Sequence, residues 1–267
     1  MRHMHDEEPE KPASGVRTMN SVLSTLRVFE EVAQRQPIGV SELARCTEIP
    51  KSTVQRGLIT LQQAGWLKVV DAERSRWGVA PRVLALGLRD CGKPDLKELA
   101  DPVVKRLAAE TNETVMLAER DGDNLVVIAT QHTDQVVRVV LDVGTRVPLL
   151  ATSGGTAIMA RLDESEVEEL FTHELPEFAQ NPAPDFVALR RDIALTAKRG
   201  YALNGSSSWY RPQVSSIGAA ITDPAGRPAA TITLAIPDTR YTRAQEKTFA
   251  PLVVAAAAEV SRLLAES

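Results

Sequence analysis

Between Ser21 and Arg35 the apolar residues Val22, Leu26, Phe29 and Ala33 recur at steps of three and four, which predicts an amphipathic helix with that stripe turned inward. Pro37 and Gly39 interrupt the pattern, and Ser41 opens a short second helix over 42–46 whose Leu43 and Ala44 face the core. The turn Thr47-Glu48-Ile49-Pro50 follows, with Pro50 suited to the first position of a new helix, where an N–H would be unpaired anyway. Over 51–64 that third helix aligns Val54, Leu58 and Leu61 on one face. Lys51, Ser52, Thr53, Gln55 and Arg56 crowd the opposite face near its N-terminus. Gly65 ends it, and 66–70 and 76–79 read as two strands around a polar turn at 71–75.

The remaining two thirds mixes periods. A helix over 81–90 carries Val83, Leu84, Leu86 and Leu88, and Gly92-Lys93-Pro94 breaks it. Residues 96–111 form another amphipathic helix, and 114–120 with 125–131 make a hairpin about Asp121-Gly122-Asp123-Asn124. A strand is expected over 136–141, helices over 153–161, 164–171 and 186–199, and strands over 214–222 and 228–236 about the turn Asp223-Pro224-Ala225-Gly226. Thr242 and Gln245 form a capping box for a last helix over 243–265. The expected fold class is α+β: an N-terminal winged helix-turn-helix, a linker helix, and a domain whose mostly antiparallel sheet is covered by helices. The boundaries are a disordered polar leader over 1–20, the winged domain over 21–80, the linker over 81–94 and the second domain over 95–267.

A short helix, a four-residue turn, a helix with a polar N-terminal face and a two-stranded ribbon is the order of elements that reads duplex DNA. Gln55 and Arg56 are placed to read adenine and guanine edges, and Lys51, Ser52, Thr53, Arg74 and Arg76 to meet phosphates. Ser41, at the head of the second helix, joins them as a candidate contact. Charge agrees. The net charge of -4 conceals eight Lys or Arg against four Asp or Glu over 41–89, and eighteen against twenty-four from residue 93 onward. A local basic excess attracts phosphate, while the acidic remainder limits indiscriminate adhesion.

Other classes find little support. Apolar residues at 43% and charged residues at 25% suit a globular chain. No uninterrupted apolar run approaches the ~18 residues of a membrane span, so no membrane association is expected and the location expected is cytoplasmic. Cys46 and Cys91 lie at no metal or disulfide spacing, and His3 and His5 sit in the leader without further ligands; no metal and no cofactor are expected. An enzyme would need a nucleophile with a base, paired acids or a metal. His132 and His173 fall in no motif, Ser153-Gly154-Gly155 lacks the flanking glycine of a nucleophile elbow, and no phosphate-binding lysine follows the glycines.

The string Ser41-Glu42-Leu43-Ala44 followed by Ile49-Pro50-Lys51-Ser52-Thr53-Val54-Gln55-Arg56 resembles the DNA-binding signature of the IclR family. Glu110-Thr111-Asn112-Glu113-Thr114-Val115, Val147-Pro148-Leu149, Arg199-Gly200-Tyr201-Ala202 and Asp223-Pro224-Ala225-Gly226-Arg227 resemble its second domain, in order. The resemblance implies a GAF-like effector domain, a homodimer or dimer of dimers on a near-palindromic operator, and control of metabolic or catabolic genes by a small organic ligand. Repression is the default sense, with activation open.

The loop Ala151-Thr152-Ser153-Gly154-Gly155-Thr156-Ala157 runs into a helix. By itself it reads equally as a tight turn with a hydroxyl cap or as a ligand loop whose N–H groups hold a carboxylate. The resemblance selects the ligand loop and implies effector contacts at Ser153, Gly154, Asn204, Ser216 and Thr233. Asn204 and Ser216 stand where the family commonly has an acid and a cysteine, so the pocket keeps polarity but loses a charge and a thiol. The stretch 205–213 departs further; in it Trp209 and Tyr210 either stack on an aromatic ligand, with Arg211 pairing to its carboxylate, or pack locally.

Overall fold

The computed structural model describes residues 18–87, 95–172, 185–204 and 213–267, and the chain divides into two units, Met1–Cys91 and Gly92–Ser267. The expected leader lies outside the described residues up to position 17, and the first helix already begins at Asn20.

The first unit runs α1 (Asn20–Arg35), β1 (Ile38–Gly39), α2 (Val40–Thr47), α3 (Lys51–Gln63), β2 (Leu67–Asp71), β3 (Arg76–Val79) and α4 (Pro81–Gly87). Its antiparallel strands lie in the order β1-β3-β2. Val54, Leu58 and Leu61 of α3 are buried as their spacing predicts, against Leu43, Leu67 and Trp77. The expected stripe of α1 is corrected. Val28 and Val32 are its buried residues, while Val22 and Leu26 stay 46% and 50% exposed. The two stripes lie one residue, or about 100°, apart around the helix. Phe29 borders both and packs edge-on to Trp66 at 5.7 Å, so periodicity alone does not choose between them. Pro50 stands just before α3 rather than in it: its carbonyl accepts from the N–H of Thr53 at 2.8 Å and of Val54 at 3.0 Å. The two-residue β1, too short for a pattern, exists through its pairing of Ile38 with Trp77.

The second unit comprises α5 (Leu96–Thr111), β4 (Thr114–Asp121), β5 (Asn124–Gln131), β6 (Arg146–Pro148), a 3-10 turn (Leu149–Ala151), α6 (Ser153–Met159), α7 (Glu164–Thr172), α8 (Phe186–Arg199), β7 (Ala202–Asn204), β8 (Val214–Thr222), β9 (Pro228–Pro237) and α9 (Arg243–Glu266). One antiparallel sheet has the order β6-β5-β4-β9-β8-β7. Alternation along its strands separates two cores. Leu117, Ile217, Ile232 and Leu234 face α5 and α9, whereas Ala118, Val127 and Ala220 share a cluster with Ile158 and Met159 of α6 and Leu170 of α7. Helix α9 is long and apolar enough to cross a membrane by length and composition, which the search for uninterrupted apolar runs missed because charged residues punctuate it. Here its Ala250, Val253, Ala257 and Val260 are buried in the core with α5 and the sheet.

The strand expected over 136–141 is absent. Its alternation is real, since Val139 and Leu141 are buried while Val136, Val137 and Val140 are exposed, but the segment joins no ladder. Side chains meet its carbonyls instead: Thr114 Oγ1 donates to Val139 O (2.9 Å), Thr130 Oγ1 to Leu141 O (3.0 Å) and Arg240 Nη1 to Val137 O (2.7 Å). Arg240 also grips the buried Glu113 carboxylate bidentately, at 2.9 and 2.7 Å, and that bond raises the guanidinium pKa. Removing one partner of such a pair strands a buried charge. Arg240→Ala is therefore expected to lower the stability of the second unit by about 3 kcal/mol in urea denaturation; a loss within the ~1 kcal/mol of an exposed pair would show the clamp to be solvent-screened.

Candidate functional site

On the first unit, α2, α3 and the β2–β3 wing enclose an open groove of about 480 Å³, lined by Ser41, Lys51, Gln55, Arg74 and Arg76 among others. Lys51 and Gln55 share a face of α3 one turn apart. Ser52, Thr53 and Arg56 are exposed on α3 but do not line this groove. The wing turn is shaped by Asp71, whose carboxylate accepts from the Arg74 N–H at 3.0 Å, leaving the Arg74 side chain in solvent. Arg76 differs from expectation. It is half-buried and ion-paired with Glu42, whose same oxygen accepts from the Gly39 N–H at 3.2 Å and so ties the start of α2 to β3. The pair lines the groove and is partly open to solvent. Arg45 also lines the groove and escaped the sequence reading; its signal was the four-residue step from Ser41 along α2.

On the second unit the predicted contacts Ser153, Gly154, Asn204, Ser216 and Thr233 come together around one cavity of about 70 Å³, several times the room one water needs. Trp209 lies outside the described residues, as do Tyr210 and Arg211. The hydroxyls of Ser153 and Ser216 hydrogen-bond at 2.7 Å, and the Asn204 amide donates to Ala151 O at 3.4 Å. Leu125, Val127, Val139, Leu141 and Val147 supply its apolar lining, and no charged side chain lines the cavity among the described residues. Thr152 caps α6, its Oγ1 accepting from the Gly155 N–H at 3.0 Å and its carbonyl from the Thr156 N–H at 2.9 Å. Thr231 also lines the cavity and was missed; its signal was the two-residue step from Thr233 along β9, which turns both threonines to one face.

The glycines of this loop serve packing first. A Cβ on Gly155 would stand 1.8 Å from the Leu149 carbonyl oxygen, and one on Gly218 of β8 2.9 Å from the Gly154 nitrogen. Main chain thus touches main chain where α6 meets the 3-10 turn and the sheet.

A winged helix-turn-helix with a polar face on its third helix, in one chain with an α+β unit that encloses a small cavity, defines a two-domain DNA-binding regulator. Comparison with known proteins agrees. The IclR helix-turn-helix domain matches residues 21–71 and the bacterial transcriptional regulator IclR C-terminal domain residues 90–262, so the chain belongs to the IclR family of transcription regulators. It is 28% identical over 255 residues to the transcriptional repressor IclR of Escherichia coli (strain K12), covering 94% of this chain and 91% of that protein. It is likewise 28% identical over 250 residues to the HTH-type transcriptional regulator BhcR of Paracoccus denitrificans (strain Pd 1222), covering 93% and 88%. In fold it is similar to an IclR homolog from Microbacterium hydrocarbonoxydans solved in complex with 4-hydroxybenzoate, at TM-score 0.76 and 20% identity, covering 92% of this chain and 100% of that one. These relatives are transcription regulators, not enzymes.

Because the atom nearest a new Cβ at Gly155 is backbone rather than a yielding side-chain tip, Gly155→Ala is expected to cost at least ~3 kcal/mol in urea denaturation, the upper end of overpacking penalties. Wild-type stability in that variant would mean that α6 does not sit this close to the 3-10 turn.

Proposed function

We propose that the protein is a repressor of metabolic or catabolic genes, that the α3 face and the wing bind a near-palindromic operator, and that a small organic acid in the second unit's cavity controls that binding. The observation that carries the reading is the coexistence of two unlike surfaces: a solvent-exposed polar face on α3 beside a basic wing, and a cavity whose polar groups are five hydroxyls and an amide. Two protomers would place their α3 helices in successive major grooves, about 34 Å apart or a multiple of it. Dimer and dimer of dimers both satisfy this. The domain limits favoured are 21–80 for DNA binding, 81–94 for the linker and 95–267 for the effector domain, in the cytoplasm.

Base reading is assigned to Gln55 and Arg56, and phosphate contact to Ser41, Lys51, Ser52, Thr53 and Arg74. Arg76 contributes by holding the wing against α2 through Glu42 as well as by its own charge. On the ligand side a carboxylate is assigned to Ser153, Gly154, Asn204 and Ser216, with Thr233 beside it. It would be held by hydroxyl and N–H groups without a formal counter-charge. The bound 4-hydroxybenzoate of the Microbacterium neighbour is an acid of this kind, which supports the choice of class. Trp209 remains the candidate aromatic contact, in the sequence stretch between the lining residues Asn204 and Val214. Regulation requires that the acid bind two conformations with different affinity.

Two experiments test these assignments. Arg56→Ala is expected to cost about 1–3 kcal/mol on the cognate duplex and much less on a scrambled one, measured by fluorescence anisotropy at fixed salt; equal losses on both would remove the base-reading role. The double variant Ser216→Ala with Thr233→Val is expected to abolish the response of operator binding to small carboxylates while apo operator affinity stays as in wild type. An unchanged response would discard this cavity as the sensing site.

A further inference from the structure

Among the described residues, three buried side-chain polar atoms have no hydrogen-bond partner: Trp77 Nε1, Thr196 Oγ1 and Thr231 Oγ1. Trp77 belongs to the core of the first unit and Thr196 to α8, and neither lines the cavity. Thr231 lines it and is 1% exposed. A buried hydroxyl without a protein partner costs about 1–3 kcal/mol unless a cavity water or a ligand pairs with it. The other polar groups here are differently placed: Ser153 and Ser216 satisfy each other, Thr152 caps α6, the Asn204 amide reaches Ala151, and Thr233, whose hydroxyl also lacks a protein partner among the described residues, is less completely buried at 9% against 1%.

We propose that Thr231 determines ligand specificity: its hydroxyl pairs with an uncharged oxygen of the occupant, so the ligand is a hydroxy or oxo acid rather than a plain carboxylic acid. This rests on the reading of the cavity as the site of an organic acid. Alternation along β9 turns Thr231, Thr233 and Ala235 to the cavity. Register places Thr231 beside Ala118 of β4 and Ala220 of β8, two residues or about 6–7 Å of strand beyond Thr233. Ser216, by contrast, pairs with Ala235 at the other end of that row. The Ser153–Ser216 pair and Thr231 therefore mark opposite ends of the polar side of the cavity.

Chemistry at the Thr231 end excludes a second charge. Its neighbours are Ala118, Leu125 and the Gly154 backbone; a Cβ built on Gly154 would lie 3.0 Å from both Thr231 Oγ1 and Leu125 Cδ1. An anionic oxygen there would be desolvated against alkyl groups with no cation near. A neutral hydroxyl or carbonyl suits it, because a threonine hydroxyl both donates and accepts. Gly154 is what allows α6 to lie over this hydroxyl.

The test uses the full chain with Thr231→Val, which keeps the shape and removes the hydroxyl, and Thr231→Ser, which keeps the hydroxyl. The probes are matched acids, 4-hydroxybenzoate with benzoate and 3-hydroxybutyrate with butyrate, measured by calorimetry. In wild type at least one oxygenated acid is expected to bind about tenfold or more tighter than its parent. In Thr231→Val that ratio falls to within about twofold, and in Thr231→Ser it is retained. Without ligand, Thr231→Val is expected to raise the Tm by about 2 °C or more, since an unpaired hydroxyl is removed from the core. A lowered Tm overturns the proposal, because the hydroxyl then has a partner within the fold. Parent acids that bind as well as oxygenated ones in wild type, or a preference that survives Thr231→Val, overturn it and leave the cavity reading standing. Failure of every acid to bind overturns both.

Discussion

Where the first turn of α6 crosses the sheet, main chain lies against main chain, and side chains are excluded on steric grounds alone. Gly218 admits the Ser153–Gly154 backbone onto β8, and Gly155 admits the Leu149 carbonyl. This approach brings Ser153 within 2.7 Å of Ser216 and sets Gly154 above Thr231 and Thr233. A larger residue at either glycine would lift α6 away, and the polar side of the cavity would separate from its floor. The cavity is thus the residue of a packing constraint: helix and sheet close to backbone contact at one end, while Val139 and Leu141, from outside the sheet, hold the opposite wall.

A second constraint fixes that opposite wall. Val139 and Leu141 belong to a segment without a ladder, and its carbonyls are met by Thr114, Thr130 and Arg240. The clamp on Arg240 originates at Glu113, at the entry to β4, so a buried ion pair beside the sheet holds a wall of the cavity through one guanidinium. Buried carbonyls require partners wherever they fall, and at Val139 and Leu141 threonine hydroxyls replace a neighbouring strand. That is why an alternating apolar pattern over 136–141 reads as a strand and folds as something else.

How far the chain can be read without coordinates follows from how local each interaction is. The recognition face of α3 was legible because a helix exposes its two sides by residue spacing alone, and Val54, Leu58 and Leu61 declare the buried one. The hairpin of β4 and β5 was legible from its turn, and α9 from Thr242 with Gln245. The stripe of α1 was not, since Phe29 belongs to both candidate faces and the choice is made by α3 and the wing. Nor were β1, β6 and β7, each two or three residues long and defined by partners distant in sequence. The cavity-lining residues were named through family resemblance, and Thr231 escaped it although the period of two along β9 puts it on the same face as Thr233.

The two sites also obey different electrostatics, which accounts for the uneven distribution of charge along the chain. In the proposed reading, phosphate would be met from solvent, where Lys51 and Arg74 need no desolvation and Arg76 is steadied by Glu42. An anion inside the second unit would be met by dipoles alone: hydroxyls, an amide and N–H groups, with alkyl side chains beside them. Formal positive charge placed there would have to be desolvated in the empty state, whereas neutral donors are kept at far lower cost when no ligand is bound. A sensor that spends part of its time empty is better built from hydroxyls. The most deeply buried hydroxyl without a protein partner then does most to distinguish one occupant from another, because its free energy changes most when the right oxygen arrives.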